Sequence, residues 1–192
     1  ALKAMIQRMI SHTPSMYLPG EKSVYSDLGY LALEAICERI SGMSLSTFWT
    51  QTQRTRITHH QGKNLDSARG LHFVPLEAND SGGGVKNQEG NIRGSALQYA
   101  PTERCPWRNR LLCGEVHDDN AWLMGGVGGH AGLFGRLQDV AEWAWDFIDA
   151  YHGRPSALPS LRADILQRAC ELDWRAPQAG SYVLGWDTPS AG

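Results

Sequence analysis

Twelve residues near the start constrain this chain more than any other stretch: Pro19-Gly20-Glu21-Lys22-Ser23-Val24-Tyr25-Ser26-Asp27-Leu28-Gly29-Tyr30. Pro19-Gly20 is a turn dipeptide. The most regular helical pattern in the sequence follows Asp27. Tyr25, Ser26 and Asp27 therefore sit where a loop runs into a helix. Side chains there are held by a rigid element and can still face a cleft. Read alone, the triplet is a capped helix start with a tyrosine beside it.

The chain around this stretch reads as helices and long loops. Leu2, Met5, Ile6, Met9 and Ile10 recur at helical spacing, with Lys3, Gln7 and Arg8 opposite, and Pro14 closes that helix. The next helix puts Leu28, Leu31, Ala32, Ala35, Ile36 and Ile40 on one face and Glu34 and Glu38 on the other, with Gly42 as its stop. Ser44 caps a third helix bearing Leu45, Phe48 and Trp49 and running to about Ile57. From His59 to Pro101 the periodicity dissolves around Asp80-Ser81-Gly82-Gly83-Gly84, with a short extended piece at 71–74. Pro101 to Gly135 is rich in Gly, Trp and His; its apolar residues need burial, so ordered loop is expected. Asp139 caps an amphipathic helix, with Glu142 three residues on as in a capping box. Val140, Trp143, Ala144, Phe147, Ile148 and Tyr151 form its apolar face, and Gly153 ends it. A further helix is expected around 161–172. Residues 181 to 186 alternate like a strand, with Tyr182, Leu184 and Trp186 on one face.

Composition excludes some classes. The net charge of −2, without a basic run, argues against a nucleic-acid binder. No apolar stretch is long enough to span a membrane. Cys37, Cys105, Cys113 and Cys170 form no Cys-x-x-Cys pair and have no His at zinc-finger spacing. Spacing leaves open whether Cys105 and Cys113 pair.

A second stretch carries recognisable chemistry. It runs Gly114-Glu115-Val116-His117-Asp118-Asp119-Asn120-Ala121, then Gly125-Gly126-Val127-Gly128-Gly129-His130-Ala131-Gly132-Leu133-Phe134. Pro-Gly-x-x-x-x-Tyr-Ser-Asp-x-Gly resembles the Tyr-x-Asn box of the penicillin-binding-protein and class C β-lactamase superfamily of serine hydrolases. The second stretch, with Pro101-Thr102-Glu103-Arg104-Cys105-Pro106-Trp107-Arg108 before it, resembles the esterase and D-alanyl-D-alanine carboxypeptidase-like branch. Coverage runs from about 1 to 192 and is thinnest between His59 and Gln98. Gly135-Arg136-Leu137-Gln138 departs from the Ser-Thr-Ala-x usual there.

The resemblance implies a mainly α chain with long ordered loops: the helical lobe of an α+β β-lactamase-like fold, with a C-terminal strand entering the sheet. It implies a partial domain over 1–192, the lobe covering about 1–175 and the strand 181–187. An intact relative would open an ester, amide or β-lactam through an acyl-serine intermediate. Tyr25 would take and return protons, and Asp27 would orient the nucleophile or substrate. His117, Asn120 and His130 would shape the cleft for a small ester, amide or peptidoglycan-like substrate. No cofactor, metal or nucleic-acid partner is implied.

Two boxes of that superfamily are missing. The serine nucleophile belongs to Ser-x-x-Lys, where the lysine one turn on takes its proton. The lysines here are Lys3, Lys22, Lys63 and Lys86, and none has a serine three residues before it. A later Lys-Thr-Gly or His-x-Gly box is matched as a string by His130-Ala131-Gly132 and His60-Gln61-Gly62, but neither lies on a strand-like run. The chain as given is therefore expected to be inactive and Tyr25 to be an ordinary phenol, since nearby cations are what depress a tyrosine. It opens without an initiator Met and stops in mid-phrase, so it reads as an internal fragment whose compartment, periplasmic or cytoplasmic, stays open. A non-catalytic binding or structural module on the same lobe is the alternative from a different class.

Three other patterns carry weaker signals. His117, Asp118, Asp119 and His130 are metal-ligand types, but hydrogen-bonded loop structure is the simpler reading. Gly126-Val127-Gly128-Gly129-His130-Ala131 fits a dinucleotide-binding string but follows no convincing strand. Its glycines are expected to permit tight turns and close backbone approach. Gly-x-Ser-x-Gly is absent, against an α/β-hydrolase.

Overall fold

A computed structural model describes residues 2–18, 21, 24–61, 70–76, 99–158, 161–170, 182–183 and 185–187. Its helices are α1 (Leu2–His12), α2 (Asp27–Ser41), α3 (Leu45–Gln61), α4 (Asp119–Leu123), α5 (Leu137–Tyr151) and α6 (Ala163–Cys170). Its strands are β1 (His72–Phe73), β2 (Arg104–Cys105), β3 (Arg110–Leu111), β4 (Leu133–Phe134), β5 (Tyr182–Val183) and β6 (Trp186–Asp187). They pair antiparallel as β1–β4, β2–β3 and β5–β6. Pro19, Gly20, Lys22, Ser23 and the loop at 80–84 lie outside the described residues.

Helix α2 is set at both ends by local chemistry. Extended Ser26 accepts the Leu28 N–H on Oγ at 3.2 Å. Gly42 takes φ +68° and returns its N–H to Glu38 O. α1 and α3 both pack on α2. The inward side of α2 differs from the pattern read in the sequence. Leu31 is buried, as expected, but so is Glu34, whereas Leu28, Ile36 and Ile40 are exposed. The reason is charge pairing between helices. Lys3 Nζ lies 2.5 Å from Glu34 Oε1 and 2.7 Å from Glu38 Oε1. Glu38 also accepts the Leu45 N–H at 2.8 Å, tying the start of α3 to the same group.

Beyond α3, Trp49 donates Nε1–H to Leu71 O at 2.8 Å and meets Phe73 edge-on. β1 pairs with β4 in the register His72↔Phe134. The extended piece expected at 71–74 is thus β1 and its flanks.

The stretch from 101 to 124 is ordered, as expected, but it is not all loop: it carries the β2–β3 pair and the short helix α4. The Arg108 guanidinium lies 4.7 Å from the Trp107 ring and 5.0 Å from the Trp122 ring. It donates to Val116 O and His117 O and pairs with Asp119 at 2.6 Å. Arg110 grips Glu115 with two hydrogen bonds of 2.8 and 2.7 Å.

Helix α5 begins at Leu137, two residues before Asp139. Asp139 is therefore not the cap: it stands in the first turn and accepts the Arg136 N–H at 2.8 Å and the Arg136 guanidinium at 2.7 Å. Trp143 and Phe147 of its expected apolar face pack with Trp186. The strand expected over 181–187 is instead a hairpin, with Tyr182↔Asp187 and Val183↔Trp186 in register. Gly185 at φ +82° makes the turn that a side chain would resist.

Candidate functional site

Three segments distant in sequence meet at one place. Asp27 is the first residue of α2. Asp118 caps α4, accepting the Ala121 N–H at 2.8 Å, and Asn120 stands in that helix. His130 lies in the glycine loop before β4. Asn120 donates Nδ2–H to Asp27 Oδ2 at 3.2 Å, across 93 residues of sequence. His130 Nε2 is 2.8 Å from Asp118 Oδ1, and its side chain is only 3% exposed. One ligand-type atom from each of Asp27, Asp118 and His130 lies within 4.8 Å of the others.

The glycine loop can reach this place because it presses on α2. Gly129 donates its N–H to Glu34 Oε2 at 2.8 Å. A Cβ on Gly129 would stand 2.5 Å from Tyr30 O, and one on Gly126 would stand 2.6 Å from Val74 O. The loop's glycines thus permit close backbone approach, as read from the sequence. Gly128 and Ala131 exchange backbone hydrogen bonds of 3.1 and 3.3 Å, which closes a tight turn around His130.

Tyr25 stands beside this group, 63% exposed, with its ring 6.2 Å from that of Tyr30. It is not an ordinary phenol. The Asp27 carboxylate, by charge and hydrogen bonding, raises its pKa above 10.0, and Tyr30 and Asp118 add to the effect. Burial works against the charge on Asp118, but the Ala121 N–H and His130 outweigh it and hold that carboxyl below its ordinary value. Among the described residues no Lys or Arg pairs with Asp27 or Asp118.

Of the five residues expected at the site, Tyr25, Asp27, Asn120 and His130 gather, and His117 does not. His117 is 59% exposed at its side chain and lies 3.1 Å from Glu103. Asp119 is turned to Arg108 and Trp107. The supports that sequence reasoning missed are Glu34 and Lys3, which hold the glycine loop. Glu34 falls on the polar side of a helical wheel, so periodicity assigned it to solvent. All four cysteines are free thiols, and Cys113 donates Sγ–H to Tyr99 O at 3.1 Å.

Chemically, the site offers two carboxylates, an imidazole, an amide and a phenol. It can bind and orient a polar substrate, but among the described residues it presents no activated nucleophile. No family profile and no solved structure matches the chain. No helix among the described residues is long and apolar enough to cross a membrane. Curated relatives do match. The chain is 34% identical over 187 residues to a Salmonella agona protein named "Putative D-alanyl-D-alanine carboxypeptidase". It is 28% identical to one of that name from Salmonella typhi and 34% identical to one from Salmonella paratyphi B. Each alignment covers 96% of this chain and 39% of the relative, so the chain spans about two fifths of the length of these carboxypeptidase-named proteins.

Proposed function

We propose that this chain is the helical lobe of a penicillin-binding-protein-like serine hydrolase acting on an ester or amide, with a peptidoglycan-like peptide as the substrate class. The observation that carries this reading is the meeting of Asp27 with Asn120 beside Tyr25, in a chain similar over 96% of its length to carboxypeptidase-named proteins. In this reading a Ser-x-x-Lys box, absent here, supplies the nucleophile. The serine oxygen attacks the substrate carbonyl, the leaving group departs with a proton, and water releases the acyl group. Tyr25 passes the proton. Asp27, fixed by Asn120, orients the serine or the substrate. The lysine of the absent box supplies the positive charge that Tyr25 lacks, since its carboxylate neighbours push the phenol the wrong way for a base.

The test uses the complete reading frame and this chain side by side. The chain alone gives no adduct with a fluorescent penicillin or fluorophosphonate by mass spectrometry, whereas the complete protein gives one acyl-serine. In the complete protein Tyr25→Phe lowers kcat by about 10²–10⁴-fold, the range for general acid–base participation, with the melting curve unchanged. A complete reading frame without Ser-x-x-Lys, or normal turnover of Tyr25→Phe, overturns the reading in favour of a non-catalytic binding module.

A further inference from the structure

We propose that His130 is a positioning residue: it acts through Asp118 and the first turn of α4 to hold the Asn120 amide against Asp27. The contact itself rests on geometry; its catalytic consequence rests on the hydrolase reading. His130 offers a substrate almost nothing to touch, because its side chain is only 3% exposed. What it does touch is the α4 cap. An ionised carboxylate can only accept, so the 2.8 Å contact is Nε2–H donating to Asp118 Oδ1. The same oxygen accepts the Ala121 N–H at 2.8 Å.

Two features make that contact more than packing. First, α4 has only five residues, Asp119–Leu123, and Asn120 is the second of them. So short a helix does not persist by propensity, so its start depends on the Asp118 cap. Asn120 in turn donates to Asp27 Oδ2 at 3.2 Å. Second, the links close a circuit on α2. Gly129 donates its N–H to Glu34 at 2.8 Å, about two turns beyond Asp27 on the same helix. From there the circuit runs through His130, Asp118 and Asn120 back to Asp27. Gly128 lets the imidazole close up on α4: a Cβ there would stand 3.0 Å from the imidazole and 3.3 Å from the Ala121 Cβ. Glu34 is buried and braced by Lys3, so the circuit is fixed to the fold at the end away from the site. Its other end is the carboxylate beside Tyr25 that the hydrolase reading needs in register.

The contact is tested on this chain and its consequence on the complete protein. By heteronuclear NMR of this chain, His130→Leu should shift the Asn120 side-chain amide and speed exchange of the Ala121 N–H. His130→Gln keeps a donor and should hold both signals near wild type. Gly128→Ala crowds the imidazole and removes no donor; it should move the same two signals, and it serves as the variant if His130→Leu does not fold. In the complete protein His130→Leu should lower kcat by about tenfold to a hundredfold, as loss of alignment does. His130→Gln should recover most of that loss with the pH profile unchanged. In an Asn120→Ala background His130→Leu should cost little more, because residues acting in series are not additive. Unmoved NMR signals overturn the positioning role whatever the complete protein does. Equal kcat losses for the two His130 variants, a lost limb in the His130→Gln pH profile, or losses additive with Asn120→Ala overturn it as well. Moved signals, with a complete protein that forms no acyl-serine, support the contact and overturn the hydrolase reading instead.

Discussion

Lys3→Met should destabilise the chain far more than its place near the start suggests. The Glu34 side chain is fully buried, and its partners are the Lys3 ammonium at 2.5 Å and the Gly129 N–H at 2.8 Å. Methionine keeps much of the apolar stem but leaves a buried carboxylate with one hydrogen bond. Removing one partner of a buried pair costs about 3–5 kcal/mol. Lys3 itself is 28% exposed, so solvent screens part of the attraction and about 2–3 kcal/mol is expected. Glu34→Gln should cost less, about 1 kcal/mol, because an amide oxygen still accepts from Gly129 and Lys3 keeps Glu38. The loss in the double variant should be at least about 1 kcal/mol smaller than the sum of the two single losses, the signature of residues in contact. Urea unfolding followed by circular dichroism on all four proteins measures this cycle. A Lys3→Met loss under about 0.5 kcal/mol, the range of an ordinary surface change, would refute the burial of an essential pair.

Stability should also fall at both ends of the pH scale through the same group. Burial disfavours the charge on Glu38, but Lys3, the Leu45 N–H and Gln7 outweigh it and lower its pKa from 4.5; that contribution exists above 4.5 and is lost as pH drops through the folded value. Burial likewise opposes the charge on Lys3, but Glu34 and Glu38 raise its pKa above 10.5, so its contribution exists below 10.5 and is lost as pH climbs through the folded value. Urea midpoints across pH should show both limbs, and Lys3→Met should flatten the alkaline one. Gly129→Ala, whose Cβ would meet Tyr30 O at 2.5 Å, should cost about 1–3 kcal/mol as an overpacked site does; a melting temperature equal to wild type would contradict that close approach. The open stripe of Leu33, Ile36 and Ile40, 56%, 52% and 82% exposed, should drive self-association; light scattering should show mass rising with concentration, and Ile36→Lys with Ile40→Glu should reduce it.

What the sequence made legible follows from what periodicity and turn chemistry encode. α2 was readable to within a residue because Ser26 and Gly42 are strong caps at both ends. Asp27, Asn120 and His130 came forward as candidates only through the resemblance of the two stretches that carry them to a known family, not through periodicity or composition. Glu34 was not, because a helical wheel sorts residues by polarity and a buried ion pair inverts that rule. His117 stands apart for a related reason: His117, Asp118 and Asp119 are adjacent but take different partners, and the Arg108 clamp that holds Asp119 belongs to a neighbouring loop that periodicity does not reveal. The start of α5 was read two residues late because Asp139 is a good cap by type, while the Arg136 partner that makes it a first-turn residue has no place in capping rules. The strand over 181–187 was read as one run because alternation does not reveal the turn that Gly185 makes.

The electrostatics of the site bear on its chemistry most directly. Ligand-type atoms of Asp27 and Asp118 lie within 4.8 Å of one another, close enough for like charges to disfavour each other. Asn120 removes none of that charge. His130 is close to Asp118, and its second nitrogen is buried without a hydrogen-bond partner among the described residues. In the proposed reading a further positive charge comes from elsewhere. A lysine ammonium from a nucleophile box would lower the phenol of Tyr25 and turn the group toward acyl transfer. Without that ammonium the carboxylates push the phenol upward, so in the proposed reading this geometry serves proton transfer only once the cation is in place.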